Sequence, residues 1–69
     1  NNQPSPARWI YCVELDQYGA PLREVWVDHN RRDDRIALGQ RCREAFEAGR
    51  AMLTAPVKNK GEKPVWIRE

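Results

Sequence analysis

Two short runs rich in β-branched and aromatic residues, separated by a turn, constrain the fold of this chain more than any other feature. The first run is RWIYCVEL, residues 8–15, and the second is LREVWVD, residues 22–28. The segment between them, residues 16–21, contains aspartate, glycine and proline, which favour turns. Two such runs joined by a short glycine-containing loop predict an antiparallel β-hairpin.

Charged residues in these runs predict how the two strands pair. One register places Glu14 opposite Arg23, whereas a slipped register would place Glu14 opposite Glu24, and like charges directly opposite are unfavourable. The preferred register also puts Trp9 and Trp26 on one face of the hairpin. Its four pairs are Ile10 with Val27, Cys12 with Val25, Glu14 with Arg23, and Leu15 with Leu22.

After His29 the apolar residues change to a spacing of three and four, which predicts one amphipathic helix. The members of its apolar stripe are Ile36, Leu38, Cys42, Ala45, Phe46 and Gly49. Either Asn30 or Asp33 is expected to cap the N-terminus of this helix. Gly49 is the expected stop, although residues 51–53 would allow one more turn.

The rest of the chain is predicted to be mostly irregular. Residues 54–63 read as a loop, and residues 64–68 (PVWIR) read as a last strand at a sheet edge, because proline cannot donate to a ladder. A fourth short strand over residues 52–57 is an alternative. Residues 1–7 are expected to form a disordered tail, and residues 8–69 one domain. The predicted fold is α+β: a small antiparallel sheet in the order β-β-α-β with one helix packed on one face.

Length and charge narrow the classes of function. A chain of 69 residues forms one domain, near the size at which a single core becomes marginal. The net charge of +2 is small for a dedicated nucleic-acid binder, yet nine of the twelve basic residues are arginine, which pairs well with carboxylates or phosphates. No stretch approaches the ~20 apolar residues of a membrane span, and residues 1–6 lack the features of a signal peptide. We therefore expect a monomer in the cytoplasm, away from membranes.

The residues that carry most catalytic and metal chemistry are sparse and scattered. Cys12 and Cys42 match no metal-ligand spacing, and we expect two buried thiols rather than a disulfide. His29 is the single histidine, without partners at ligand spacing. Ser5 and Thr54 lie in predicted loops without the context of an activated nucleophile. We therefore expect no enzyme activity, no cofactor and no bound metal.

Aromatic residues of the hairpin are the first candidate for a functional surface. If the helix covers the face that carries Ile10 and Cys12, then Trp9, Tyr11 and Trp26 form an open apolar patch, which marks an interaction site. Alternatively, these aromatics are the core, and the helix packs on them. Tryptophan is also over-represented among the residues that dominate protein interfaces.

Basic residues are the second candidate. Arg31 and Arg32, with Arg35 one turn further on, form the densest basic cluster and suit docking onto an acidic protein surface or phosphate. A solvated helix start, balanced by neighbouring aspartates, is the alternative. The three lysines of residues 58–63 either solubilise a loop or follow a nucleic-acid backbone. The expected protein-binding residues are Arg8, Trp9, Tyr11, Trp26, Arg31, Arg32 and Arg35.

With the strands RWIYCVEL and LREVWVD next to the helix sequence RIALGQRCREAFEAG, the chain resembles a group of very small bacteriophage regulators. Bacteriophages use these proteins to take over host RNA polymerase, and the chain is most similar to one made by a lytic phage of a plant-pathogenic bacterium. The resemblance covers most of the chain and assigns no role to individual residues. It implies binding to the N-terminal part of the polymerase β′ subunit, displacement of the σ factor at promoters, and reduced termination during elongation.

Three hypotheses about function follow. The first is a non-enzymatic protein-binding regulator whose partner is host RNA polymerase. The second is a small nucleic-acid-binding module that uses sheet aromatics and basic residues. The third is a host-directed inhibitor of another bacterial protein with the same architecture.

Overall fold

A computed structural model describes residues 8–65, and these residues form one antiparallel sheet and one helix. The elements along the chain are β1 (Trp9–Leu15), β2 (Pro21–Asp28), α1 (Arg32–Glu47) and β3 (Ala51–Val57). The strand order is β2-β1-β3, so β1 is central and both of its neighbours are edge strands. The predicted α+β class, with the order β-β-α-β, is confirmed. The predicted tail, residues 1–7, lies outside the described residues.

The hairpin pairs as predicted over most of its length. Three of the four expected pairs are present: Ile10 with Val27, Cys12 with Val25, and Glu14 with Arg23. The fourth was wrong, because Leu15 lies opposite Pro21 and the register shifts at a bulge between Glu14 and Leu15. The turn explains the shift: the Asp16 carboxylate accepts hydrogen bonds from the N–H groups of Tyr18 and Ala20, closing a tight loop. The second strand therefore begins at Pro21, and a bulge absorbs the extra residue.

The helix starts without the side-chain cap that the sequence suggests. Arg31 is the N-cap residue and makes no capping hydrogen bond through its side chain, so the predicted caps, Asn30 and Asp33, were wrong. Asp28 organises this turn instead. Its side chain accepts from the Asn30 N–H at 2.9 Å, and its carbonyl accepts from the Arg31 N–H at 3.1 Å. The chain therefore enters the helix from a turn built on the last residue of β2.

The helix ends where predicted. Gly49 has a φ of 74° and directs its N–H to the Phe46 carbonyl, while the Arg50 N–H donates to the Ala45 carbonyl at 2.8 Å. This pair of bonds is the Schellman arrangement, which favours glycine at the left-handed position. The possible extra helical turn over residues 51–53 is absent, because β3 begins at Ala51.

The third strand is the segment that the sequence offered only as an alternative. Residues 51–57 pair with β1 along its whole length, from Trp9 opposite Val57 to Leu15 opposite Ala51. Part of the predicted loop over residues 54–63 is therefore strand. Pro64 and Val65, the first residues of the predicted last strand, are not in a strand, and the rest of that prediction, including Trp66, lies outside the described residues.

One face of the sheet packs against the helix. Cys12 is fully buried there, and Ala45 is the buried residue of the helix. Leu38 and Cys42 are half-buried, as the predicted stripe requires. Two members of that stripe were placed wrongly: Ile36 is 49% exposed and Phe46 is 82% exposed. Their apolar character suggested the inner face, but the helix turns them toward solvent.

The opposite face of the sheet holds the main apolar cluster and is covered by residues 58–65, here called the covering segment. Tyr11, Val13 and Val57 are buried in this cluster, and Trp9, Leu15 and Trp26 pack against it. The Trp26 indole N–H donates to the Glu62 carbonyl at 2.9 Å, and the Lys63 ammonium lies 3.0 Å from the Glu24 carboxylate. These aromatics are therefore core residues, but they pack against the covering segment and not against the helix.

Candidate protein-binding surface

Four of the predicted interface residues converge at one corner of the molecule, where β1 begins, β2 ends and the helix starts. They are Arg8, Arg31, Arg32 and Arg35, and we call them the arginine corner. The β-ladder brings Arg8 to this corner, because its carbonyl accepts the His29 N–H at 2.7 Å. The helix supplies the other three from its N-cap and first turn. Four arginines from two distant parts of the sequence thus lie near one another, with Asp33 and Asp34 in the same first turn of the helix.

Asp28 lies beneath the arginine corner and holds its parts together. Its side chain is 8% exposed and lies 3.4 Å from the Arg8 guanidinium. Its backbone N–H donates to the Asp34 carboxylate at 3.1 Å, which ties the strand to the helix. The Asn30 N–H lowers the pKa of Asp28 most strongly, and Arg8 and Arg31 lower it further against the opposing effect of burial. Asp28 is therefore ionised at neutral pH and compensates only part of the local positive charge.

The guanidiniums of the arginine corner are exposed and largely uncompensated. Within residues 8–65, Arg31, Arg32 and Arg35 have no carboxylate within 4 Å, although Arg35 donates to the His29 carbonyl at 2.7 Å. Arg8 keeps 61% of its side chain exposed despite its ion pair. Guanidiniums present several donors in a fixed plane, which suits carboxylates and phosphates. The corner is therefore equipped to receive acidic groups from outside the chain.

Trp9 borders the arginine corner and is half-buried. The Arg8 guanidinium lies 5.9 Å from the centre of its ring, and the Lys60 ammonium lies 5.5 Å from it. Both distances are within the range of cation–π attraction. Trp9 therefore joins the basic corner to the covering segment. Its remaining exposed edge can add apolar contact beside the arginines.

Tyr11 and Trp26 are core residues, which is the alternative that the sequence left open, although the covering segment and not the helix packs on them. Tyr11 has no exposed surface in this fold, so it is not among the residues that we propose to contact a partner. Its ring lies 5.4 Å from that of Trp26, and its hydroxyl donates to the Glu24 carboxylate at 2.7 Å. Burial raises the pKa of Tyr11 to about 12, and the hydrogen bond to Glu24 adds to that shift. Trp26 is half-buried, with its indole N–H bonded to the covering segment.

Sequence reasoning missed the residues that support this surface. The turn that Asp28 forms was not predicted, although its position two residues before Asn30 is the spacing of an aspartate turn. Lys60 and Lys63 were read as solubilising residues of a loop, yet they contact Trp9 and Glu24. No sequence pattern indicates such contacts, because they depend on the return of the covering segment across the sheet.

A second charged cluster lies on the helix side of the sheet. Glu14 is 6% exposed and pairs with Arg23 across the hairpin and with Arg50 after the helix. Burial alone would raise the pKa of Glu14, but the hydrogen bonds from Arg50 and Arg23 outweigh it and hold the pKa below its ordinary value. This cluster joins the end of the helix to the hairpin. The charges of this cluster pair with one another, so the cluster stabilises the fold.

Within residues 8–65, no group of three or more His, Cys, Asp or Glu side chains is placed to hold a metal ion. No helix in the same part of the chain is long and apolar enough to cross a membrane. Cys12 and Cys42 are both free thiols.

Comparison with known proteins found no matching family model, no similar curated protein and no similar solved structure. The geometry of the chain itself therefore carries the functional argument.

Proposed function

We propose that this protein is a small non-enzymatic regulator that binds another protein through the arginine corner. The observation that carries the proposal is the convergence of Arg31, Arg32 and Arg35 beside half-buried Trp9. All three arginines are exposed, and within residues 8–65 none has a carboxylate within 4 Å. Arginine and tryptophan are both enriched among the residues that dominate protein interfaces. The complementary surface is acidic, and long-range attraction speeds the encounter.

The partner that we propose is bacterial RNA polymerase, contacted at the N-terminal region of its β′ subunit. The resemblance to phage regulators supports this choice. In this role the protein inhibits σ-dependent initiation and suppresses termination. A chain of 69 residues can act on so large an enzyme by steric competition with σ or by shifting a conformational equilibrium. The second route requires a higher affinity for one state of the enzyme than for the other.

The test measures binding of immobilised protein to RNA polymerase core enzyme from a plant-pathogenic bacterium. We expect Arg32→Glu to weaken binding about tenfold, which is about 1.4 kcal/mol, and to slow association most at low salt. Arg43→Glu is the matched control: it makes the same charge change at an exposed position of the same helix, about 16 Å from Arg32. Equal affinity of both variants and the wild type would exclude the arginine corner as the interface.

The alternative of a nucleic-acid-binding module needs aromatic rings that are open for stacking. Tyr11 is buried and Trp26 is bonded to the covering segment, so the structure offers little of that platform. A gel shift at low salt separates the two hypotheses, since nucleic-acid affinity falls steeply with ionic strength. Binding tighter than about 100 µM (about −5.5 kcal/mol) without polymerase binding would favour this alternative. Specific binding of a different bacterial protein would instead favour a host-directed inhibitor with another target.

A further inference from the structure

The two edge strands of the sheet differ in how open they are to another strand. In an antiparallel pair, successive residues point their backbone N–H and C=O groups alternately toward the partner strand and away from it. The His29 N–H donates to Arg8 on the β1 side, whereas the Asp28 N–H points away and donates to the Asp34 side chain. Trp26 and Glu24 share the orientation of Asp28, so their backbone groups point outward.

These outward groups have no partner in the part of the chain that the structure describes. No hydrogen bond joins the backbone of Trp26 or Glu24 to any residue outside the β1–β2 pair. The other edge is protected at one position: Ile10 directs its backbone groups at Val27, so its neighbour on β3, Pro56, faces outward and has no N–H, although Thr54 faces the same way. Proline at an outward position is a common protection against added strands. Strand β2 lacks this protection at Trp26 and Glu24.

A cleft lies directly beside this open edge, between β2 and the helix. It has a volume of about 160 Å³. Its apolar part comprises Val25, Val27, Ala37 and Leu38, and its charged part comprises Asp34 and Arg41. Asp34 is already engaged with the Asp28 N–H, whereas Arg41 has no carboxylate within 4 Å in residues 8–65. The cleft therefore presents an apolar floor, a carboxylate that already accepts a backbone N–H, and a guanidinium that makes no ion pair within these residues.

We propose that β2 and this cleft form a docking site for an extended segment of a partner protein, which adds to the sheet as a fourth strand. The backbone of the segment pairs with the outward groups of Trp26 and Glu24. Side chains of an added strand alternate between the two faces, so an apolar residue enters the cleft while a nearby acidic residue meets Arg41. Main-chain pairing supplies affinity, and the cleft with Arg41 supplies selectivity for acidic, apolar segments. The proposal rests on the proposed function only in that the chain binds another polypeptide, and it uses a surface other than the arginine corner.

The test uses a library of random linear peptides displayed on phage and selected on the immobilised full chain. We expect the enriched peptides to contain an apolar residue and a carboxylate. Ala37→Trp fills the cleft from an exposed helical position. The affinity of this variant for synthetic copies of the enriched peptides should be about tenfold lower than that of the wild type. Gln40→Trp, at an exposed position outside the cleft, is the matched control and should bind normally.

A second pair of variants tests the charge. Arg41→Glu should lower the affinity for the same peptides about tenfold. Arg43→Glu makes the same charge change outside the cleft and should leave that affinity unchanged. Hydrogen exchange tests the added strand: bound peptide should protect the amides of Trp26 and Glu24, which exchange quickly in the free protein.

Three results of the peptide experiments would overturn the proposal, and a fourth comes from the oligomeric state. They are enrichment of no peptide, equal binding by Ala37→Trp and the wild type, and binding that leaves the Trp26 and Glu24 amides unprotected. A dimer of the wild type that Ala37→Trp dissociates would identify a second copy of this chain as the occupant, and would also overturn it. Because the probe is a peptide, failure here is distinct from failure to bind RNA polymerase.

Discussion

At the scale of single residues, burial sets the chemistry of groups that would otherwise be reactive. Cys12 lies in the middle of the central strand and has no exposed surface. Burial raises its pKa to about 11, with a smaller contribution from Cys42 and an opposing one from Arg41. The thiolate is the nucleophilic form of cysteine, so a raised pKa and burial both reduce reactivity.

We predict that Cys12 resists thiol reagents in the folded protein. The Cys42→Ser variant leaves Cys12 as its single thiol, and at about pH 8 that thiol should react only as fast as the structure opens. The measurement is the rate of modification by a chromogenic disulfide reagent, with the denatured variant as the reference. A native rate close to the denatured rate would show that β1 is not covered as described.

At the scale of elements, the two glycines of the helical region have opposite roles. Gly49 ends the helix with a φ of 74°, a conformation that side-chain-bearing residues rarely adopt. Gly39 lies within the helix, and a Cβ built on it would meet nothing within 4 Å. Gly49 is therefore required by the backbone conformation. Gly39 weakens the helix, and no close contact in the structure requires a glycine there.

We predict opposite effects of alanine at these positions. Gly49→Ala should lower the free energy of unfolding by about 1 kcal/mol, because alanine disfavours the left-handed conformation. Gly39→Ala should raise it by about 0.5–1 kcal/mol, since alanine is the better helix former. Denaturant unfolding followed by circular dichroism measures both. A stabilising Gly49→Ala would contradict the described helix end.

At the scale of the whole molecule, three carboxylates connect its separate parts. Glu14 links the hairpin to the end of the helix, Glu24 links β2 to the covering segment, and Asp28 links β1 to the helix start. Tyr11 lowers the pKa of Glu24 most strongly, followed by Lys63. All three pKa values lie below the ordinary 4.5 of glutamate or 3.8 of aspartate. Their ionised forms are therefore favoured in the folded state.

We predict that acid destabilises the fold through these groups. A carboxylate whose pKa is lowered by folding contributes its full stability above its unfolded pKa and loses it as the pH falls through the folded value. Thermal midpoints should therefore be level near neutral pH and fall below pH 4.5. Glu14→Gln should have a lower midpoint at neutral pH and a shallower fall in acid. If the thermal midpoints of the variant and the wild type fell in parallel with pH, Glu14 would not contribute to the acid destabilisation.

The predictions from sequence succeeded where neighbouring residues decide the outcome. The hairpin register followed from opposite charges at Glu14 and Arg23, and the helix end followed from Gly49. They failed where two neighbouring residues could play the same role and where the packing of the helix on the sheet decides which side chains are buried. Asn30 had the chemistry of a helix cap, but Asp28 formed the turn, and Phe46 had the character of a core residue but faces solvent.

The sequence by itself determined the hairpin, the helix and the clustering of Arg31, Arg32 and Arg35, because alternation, periodicity and short-range charge pairing are local properties of the chain. Only the tertiary structure decided that residues 51–57 complete the sheet and that the covering segment buries Tyr11. It also decided that Arg8 joins the arginine corner and that a cleft lies between β2 and the helix. These outcomes depend on which segments meet across the sheet, since each buries its apolar side chains against a surface that other parts of the chain supply.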